Sequence, residues 1–183
     1  MRKLLAAAFM ISLAGMAYAQ PPATDLGTIT GDMAVGGAIS AAQEVDWFMF
    51  TIGTTPYLDI TTNGSALNDT ELGLYTDVGN LVATDDDDGF GLKSVLTFGT
   101  GSGLLLGDSY NLGGNGIAEG EDGPLGPGTY YLAIGAYNTT FGATGWNVTS
   151  SSSATGDYTI TFYIPEPASL ALLALGGLML RRR

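Results

Sequence analysis

The chain has 183 residues, of which 18 are acidic and six basic, giving a formal net charge of −12, and it contains neither cysteine nor histidine. These absences exclude disulfide bonds and metal sites built from thiolates or imidazoles. They also exclude a cysteine nucleophile and any nucleophile that is activated by a histidine base. The negative charge argues against binding to the phosphate backbone of a nucleic acid.

The first segment of the chain has the organisation of a secretory signal peptide. Two basic residues, Arg2 and Lys3, precede an apolar stretch, and Ala17 and Ala19 flank a tyrosine in the small-x-small pattern that signal peptidase accepts. We therefore expect a signal helix over residues 1–19, cleavage by signal peptidase after Ala19, and export of the mature chain.

Seven short segments of the mature region have the composition of β-strands. Each has five to ten residues rich in β-branched and aromatic types, with Gly, Asn, Asp or Pro at its bounds. These segments are 44–52, 57–63, 71–76, 81–85, 94–99, 128–137 and 157–164. Because no stretch has a capped helical period, we predict a single all-β domain over residues 20–164, an antiparallel β-sandwich or jelly roll.

One of these segments and one turn between segments carry sharper predictions. Segment 44–52, EVDWFMFTI, has apolar residues on both faces, which predicts a strand buried on both sides, with Trp47 between the sheets. Residues 77–80 separate two strand segments and have the composition of a hairpin turn.

Four consecutive carboxylates begin at the last residue of segment 81–85 and form the sharpest local feature. They are Asp85, Asp86, Asp87 and Asp88, and a glycine comes next. Carboxylates in one turn repel each other unless water or a cation separates them, and clustered hard oxygen ligands are what Ca²⁺ selects. We expect a calcium site here, with Asp46 or Asp77 completing the shell, although the spacing is not that of an EF-hand. The alternative is a solvated hairpin tip.

Two long loops interrupt the strands, and long loops in a compact domain are often functional. Residues 99–128 form a Gly-rich insertion with four acids, and residues 138–156 carry Phe141 and Trp146 among small polar residues. Trp146 is a candidate for stacking on a sugar ring. The alternative is that both aromatics fold their loop over the sandwich.

The C-terminal segment consists of a Pro-Glu-Pro tripeptide, a short apolar run and a basic cluster. Its motif residues are Pro165, Glu166, Pro167, Arg181, Arg182 and Arg183. The apolar run, 168–180, has 13 residues. As a helix it would reach only about 20 Å, whereas the core of a bilayer is about 30 Å thick. It is therefore marginal as a permanent anchor.

This order of elements resembles the PEP-CTERM sorting signal, which exosortase-type transpeptidases of Gram-negative bacteria read. The resemblance implies that residues 165–183 hold a short hydrophobic helix, tether the chain transiently to the inner membrane and are then removed by such an enzyme. Without both signals, one lysine and 17 acids remain, so the formal charge is −16.

The blocks EVDWFMF, ELGLYTDVGNLVATDDDDG, LGPGTYYLAIGAY and GDYTITFYI resemble, in their order, bacterial pre-peptidase C-terminal domains. Those domains are β-sandwiches that accompany secreted bacterial proteins. The insertion at 99–128 departs from the family's pattern.

We therefore expect an exported, non-catalytic protein of the cell surface or extracellular matrix, associated with exopolysaccharide. The alternative is a calcium-aided carbohydrate-binding module that uses the acidic turn or Trp146. A carboxylate-based glycosidase is a third reading, but it needs an acid in an apolar environment, and we expect none.

Overall fold

The computed structural model describes residues 19–54, 57–99, 122 and 125–164. These residues form eleven strands and no helix. The strands are β1 (Thr24–Ile29), β2 (Met33–Ile39), β3 (Asp46–Ile52), β4 (Tyr57–Thr61), β5 (Thr70–Thr76), β6 (Leu81–Asp85), β7 (Val95–Gly99), β8 (Gly128–Ala136), β9 (Thr139–Phe141), β10 (Val148–Ser150) and β11 (Gly156–Tyr163).

The all-β prediction is confirmed for this part of the chain. All seven predicted segments coincide with strands, and β6 has the predicted bounds. The signal helix and the C-terminal hydrophobic helix lie outside the described residues. None of the described residues belongs to a helix that is long and apolar enough to cross a bilayer.

Two sheets pack face to face. The first has five strands in the order β1-β3-β8-β5-β6, the second has four in the order β2-β11-β4-β7, and β9 and β10 form a separate hairpin. All pairs are antiparallel except β1 and β3, which are parallel. The purely antiparallel prediction was therefore wrong at this edge. The chain crosses to the second sheet as β2 before it returns as β3, and such a crossover is what a parallel pair requires.

The core lies between the inward faces of the two sheets. Phe50 of β3 packs edge-on against Phe162 of β11 with ring centroids 5.1 Å apart, and Phe48 packs against Tyr158 at 6.3 Å. All four side chains are buried. Burying a side chain of this size contributes about 1.5–3 kcal/mol, so these cross-sheet contacts hold β3 over β11.

The prediction that β3 is buried on both faces was wrong. Phe48, Phe50 and Ile52 point into the core, whereas Trp47 is only half-buried. Its ring lies 5.5 Å from that of Tyr75, which belongs to β5 of the same sheet. Trp47 therefore lies on the outer face of the five-stranded sheet, the face that does not contact the second sheet.

The loop that carries β9 and β10 covers much of this outer face. Phe141 packs on Gly73 of β5 so closely that a Cβ there would lie 2.2 Å from the phenyl ring. The hydroxyl of Tyr75 donates a hydrogen bond to the carbonyl of Gly142 at 3.0 Å. The second long loop is thus folded onto the five-stranded sheet.

A candidate metal centre at the acidic turn

The acidic turn, residues 86–94, joins β6 of one sheet to β7 of the other. β5 and β6 form the predicted hairpin, in which Leu72 pairs with Asp85. The hairpin turn at 77–80 lies at the other end of β6. A strand of five residues is about 17 Å long, so Asp77 is held far from the acidic turn.

Asp85 does not face the other carboxylates as an open ligand. One of its oxygens accepts hydrogen bonds from the backbone N–H groups of Val95, at 2.7 Å, and Asp88, at 3.3 Å. Burial first, and then the hydrogen bond with Asp88, raises the pKa of Asp85 to about 9. Asp85 therefore stabilises the turn from inside.

Three other carboxylates do converge. Asp69, Asp86 and Asp87 each offer one oxygen, and these oxygens lie within 4.8 Å of one another. Two of the four predicted ligands are thus brought together with a residue that the sequence analysis missed. Asp46, which was expected to help, instead accepts a hydrogen bond of 2.6 Å from the Tyr158 hydroxyl on another part of the sandwich.

Asp69 reaches this position because its loop is tied to the acidic turn. The backbone N–H of Thr70 donates to the carbonyl of Leu92 at 3.1 Å. The ammonium group of Lys93 donates to the carbonyls of Leu67, at 2.5 Å, and Asn68, at 2.6 Å. The hairpin register that the structure shows places Asp69 beside the acidic turn, because the Leu72–Asp85 pairing extended by two or three residues reaches it.

The electrostatics of the cluster favour a bound cation. One oxygen of Asp69 and one of Asp87 are buried without a hydrogen bond within the described part of the chain. Burial first, and then the charges of Asp86 and Asp87, raises the pKa of Asp69 to about 6, while Lys93 opposes the shift. Burial and its acidic neighbours also raise the pKa of Asp86. Converging carboxylate oxygens with orphaned lone pairs fit Ca²⁺.

A cavity of about 490 Å³ lies beside the turn, and carboxylates dominate its lining. Glu71 of β5 forms one wall, and its two oxygens accept hydrogen bonds from the N–H groups of Asn138, at 2.8 Å, and Thr139, at 2.6 Å. Burial raises the pKa of Glu71 to about 7 despite these bonds. Thr84, Thr139 and Phe141 complete the cavity.

The expectation that no acid lies in an apolar environment was wrong. Asp59 of β4 is only 1% exposed, and neither of its oxygens accepts a hydrogen bond from the described residues. Burial raises its pKa to about 7. Its partners in register are Thr97 on β7 and Tyr163 on β11. Asp59 was missed because the residue type alone does not show what covers it.

Trp146 is half-buried and packs against the five-stranded sheet. Its ring lies 5.8 Å from that of Tyr131 in an edge-to-face contact, and a Cβ on Gly79 would come within 2.8 Å of it. The indole N–H is buried with no acceptor among the described residues. These contacts give Trp146 a packing role in the loop, whereas sugar binding there remains a prediction.

Comparisons with known proteins supply fold likeness only. No family model matches the chain, and no curated protein matches it. A pre-peptidase C-terminal domain of a collagenase from Bacillus anthracis is 16% identical, with a TM-score of 0.40, over 80% of this chain and 100% of that one. PliG of Aeromonas hydrophila, a periplasmic inhibitor of g-type lysozyme, is 10% identical, with a TM-score of 0.37, over 79% of this chain and 100% of that one. Both TM-scores lie below 0.5.

Proposed function

We propose that the chain is an exported, non-catalytic protein of the cell surface or extracellular matrix whose β-sandwich is stabilised by one calcium ion. The observation that carries this proposal is the convergence of Asp69, Asp86 and Asp87, two of which bury an oxygen that has no hydrogen-bond partner among the described residues. Outside the cell, calcium sites operate at Kd values of about 10⁻⁴–10⁻³ M, which an incomplete shell of three carboxylates could reach.

The proposed role of the ion is structural. It would join the loop before β5, which carries Asp69, to the turn between β6 and β7, which carries Asp86 and Asp87. Since the turn runs from one sheet to the other, neutralising its carboxylates would hold the two sheets together at this end. No step of acid–base or nucleophilic chemistry is part of the proposal.

The two signals of the sequence support the proposed location. In this proposal signal peptidase removes residues 1–19, an exosortase-type enzyme removes the segment after the Pro-Glu-Pro motif, and the −16 domain is placed in the exopolysaccharide layer.

Thermal unfolding with and without calcium tests the metal site. A ligand that binds only the folded state at about 100 times its Kd stabilises it by about 2.7 kcal/mol. For a domain of this size that raises Tm by roughly 8–11 °C. Asp87→Asn should abolish most of this increase and should raise Tm in EDTA, because it removes like-charge repulsion.

The matched control is Asp77→Asn, which removes the same charge from an exposed turn. This variant should keep the full calcium response. Equal responses of the wild type, Asp87→Asn and Asp77→Asn would mean that calcium only screens the acidic surface, and would overturn the proposed site.

The cavity beside the turn favours carbohydrate binding as the second candidate function. Phe141 offers an aromatic surface next to threonine hydroxyls and the acidic turn, and sugar hydroxyls can complete the coordination of a calcium ion. Pull-down of the exported protein by insoluble polysaccharides would test it. Binding that disappears with EDTA and with Phe141→Ala supports this function, and binding unchanged by both excludes it.

A further inference from the structure

A second groove opens at the opposite side of the sandwich, where β1 and β2 are the edge strands of their sheets. It has a volume of about 580 Å³, within the range of sites that hold ligands. Its lining includes Val35, Gly36 and Gly37 of β2, residues 22–24 at the start of β1, and Asp46 and Tyr158.

Within the described part of the chain, the edge of β2 carries none of the charges, prolines or bulges that usually protect an edge strand. Its sequence, MAVGGAI, contains no charged residue and no proline. Its register with β11 is unbroken over seven residue pairs, from Met33–Phe162 to Ile39–Gly156, so no bulge twists the edge away. Edge strands normally carry charges, prolines or bulges that prevent a further strand from adding.

Packing requires a glycine at only one of the two glycine positions of β2, Gly36 and Gly37. Gly37 is required by packing, because a Cβ there would lie 2.2 Å from the Tyr158 hydroxyl. Gly36 has no such neighbour, since its nearest contact would be the Tyr158 carbonyl at 3.8 Å, and its φ is not positive. Glycine inside a strand weakens it and often marks a place where another backbone approaches closely.

Among the described residues that line the groove, the one charged side chain is the carboxylate of Asp46. The Asp46 carboxylate accepts a hydrogen bond of 2.6 Å from the Tyr158 hydroxyl, and Glu44 also acts electrostatically on that hydroxyl. The only lysine or arginine between residues 20 and 164 is Lys93, whose ammonium group donates hydrogen bonds to the main-chain carbonyls of Leu67 and Asn68. Asp46 and Glu44 thus have no basic partner in the described chain.

We propose that this groove binds an extended, positively charged segment of a partner protein, which adds to the free edge of β2 as a further strand. Main-chain hydrogen bonds to β2 would supply affinity, and a lysine or arginine facing Asp46 would supply specificity. A second copy of this chain fits less well, because its exported form carries a formal charge of −16 and has one lysine. The interaction does not depend on calcium.

Selection from a displayed library of random dodecapeptides tests the proposal, with the protein obtained by export of the full chain from a bacterial host. Selected peptides should alternate β-branched residues, contain lysine or arginine, and bind equally in calcium and in EDTA. In a peptide bound as a strand, the N–H groups of every second residue point towards β2. Methylating the backbone nitrogens of those residues of a selected peptide should weaken binding more than about tenfold, and methylating the nitrogens of the residues between them should not.

Variants of the protein locate the site. Asp46→Asn keeps an acceptor for the Tyr158 hydroxyl and should weaken binding about fivefold, whereas Asp77→Asn should leave it unchanged. Ala34 is exposed on β2, so Ala34→Lys should weaken binding and the matched Ala34→Glu should not. Failure to select cationic peptides, or selected peptides that bind all four variants alike, would overturn the proposal. A wild-type dimer that only Ala34→Lys dissociates would assign the edge to a second copy instead.

Discussion

Replacing Asp59 with asparagine should make the protein more stable, and the gain should grow as the pH rises. Asp59 is 1% exposed, its oxygens accept no hydrogen bond from the described residues, and burial raises its pKa from an ordinary 3.8 to about 7. The folded protein therefore tolerates the neutral carboxyl and is penalised by the charged one.

The size of this effect follows from linkage. A raised folded-state pKa means that the favourable contribution of the protonated group is complete below about pH 4 and is lost as the pH rises through about 7. Each pKa unit corresponds to about 1.36 kcal/mol, so a shift of about three units costs roughly 4 kcal/mol at pH 9. Roughly 3 kcal/mol of that cost develops between about pH 5 and pH 9.

Urea unfolding in EDTA at pH 5 and pH 9 measures the difference directly. The free energy of unfolding of Asp59→Asn, relative to the wild type, should be greater at pH 9 by about 3 kcal/mol. Other buried acids, such as Glu71 and Asp85, cancel in this comparison because both proteins contain them. Asp77→Asn, at an exposed site, should show no comparable growth. A gain for Asp59→Asn that is equal at both pH values would refute the reasoning.

Three further predictions concern other parts of the molecule. Calcium affinity, measured by titration calorimetry, should fall steeply below about pH 6 as Asp69 takes up its proton, and an affinity that is constant down to pH 5 would exclude Asp69 as a ligand. Tyr75→Phe should lower the free energy of unfolding by about 1 kcal/mol, because the hydrogen bond to Gly142 is lost, and an unchanged urea midpoint would show that this bond contributes nothing. The intact mass of the native exported protein should match a chain that begins at Gln20 and ends near the Pro-Glu-Pro motif, and a mature form that retains Arg181–Arg183 would contradict the sorting signal.

The local sequence pattern was sufficient to predict a strand wherever the segment itself is rich in strand-forming residues. Segments 71–76 and 81–85 alternate around a hairpin turn, and they form β5 and β6 almost as predicted. β1 and β2, TDLGTI and MAVGGAI, were missed because glycine, alanine and aspartate are poor strand formers. These strands exist because β3 and β11 offer them partners, and that information is not local.

The candidate site was predictable to the extent that it lies in one turn. The carboxylates of Asp86 and Asp87 were identified from composition, whereas Asp69 joins them through the register of a hairpin. Asp59 and Trp47 were misjudged for a common reason. Alternation shows which side chains leave the core, but it does not show what then covers them.

The arrangement around Lys93 also bears on how the folded protein resists proteolysis. Proteases of trypsin specificity cut after lysine or arginine, and residues 20–164 offer them a single bond, Lys93–Ser94. Lys93 is 9% exposed and Ser94 is 0% exposed, and the lysine head group is bound to two main-chain carbonyls. Cleavage needs a segment that can leave the surface and extend into the protease. Proteases of this specificity should therefore cleave the domain only after the end of the sandwich that holds Lys93 has unfolded.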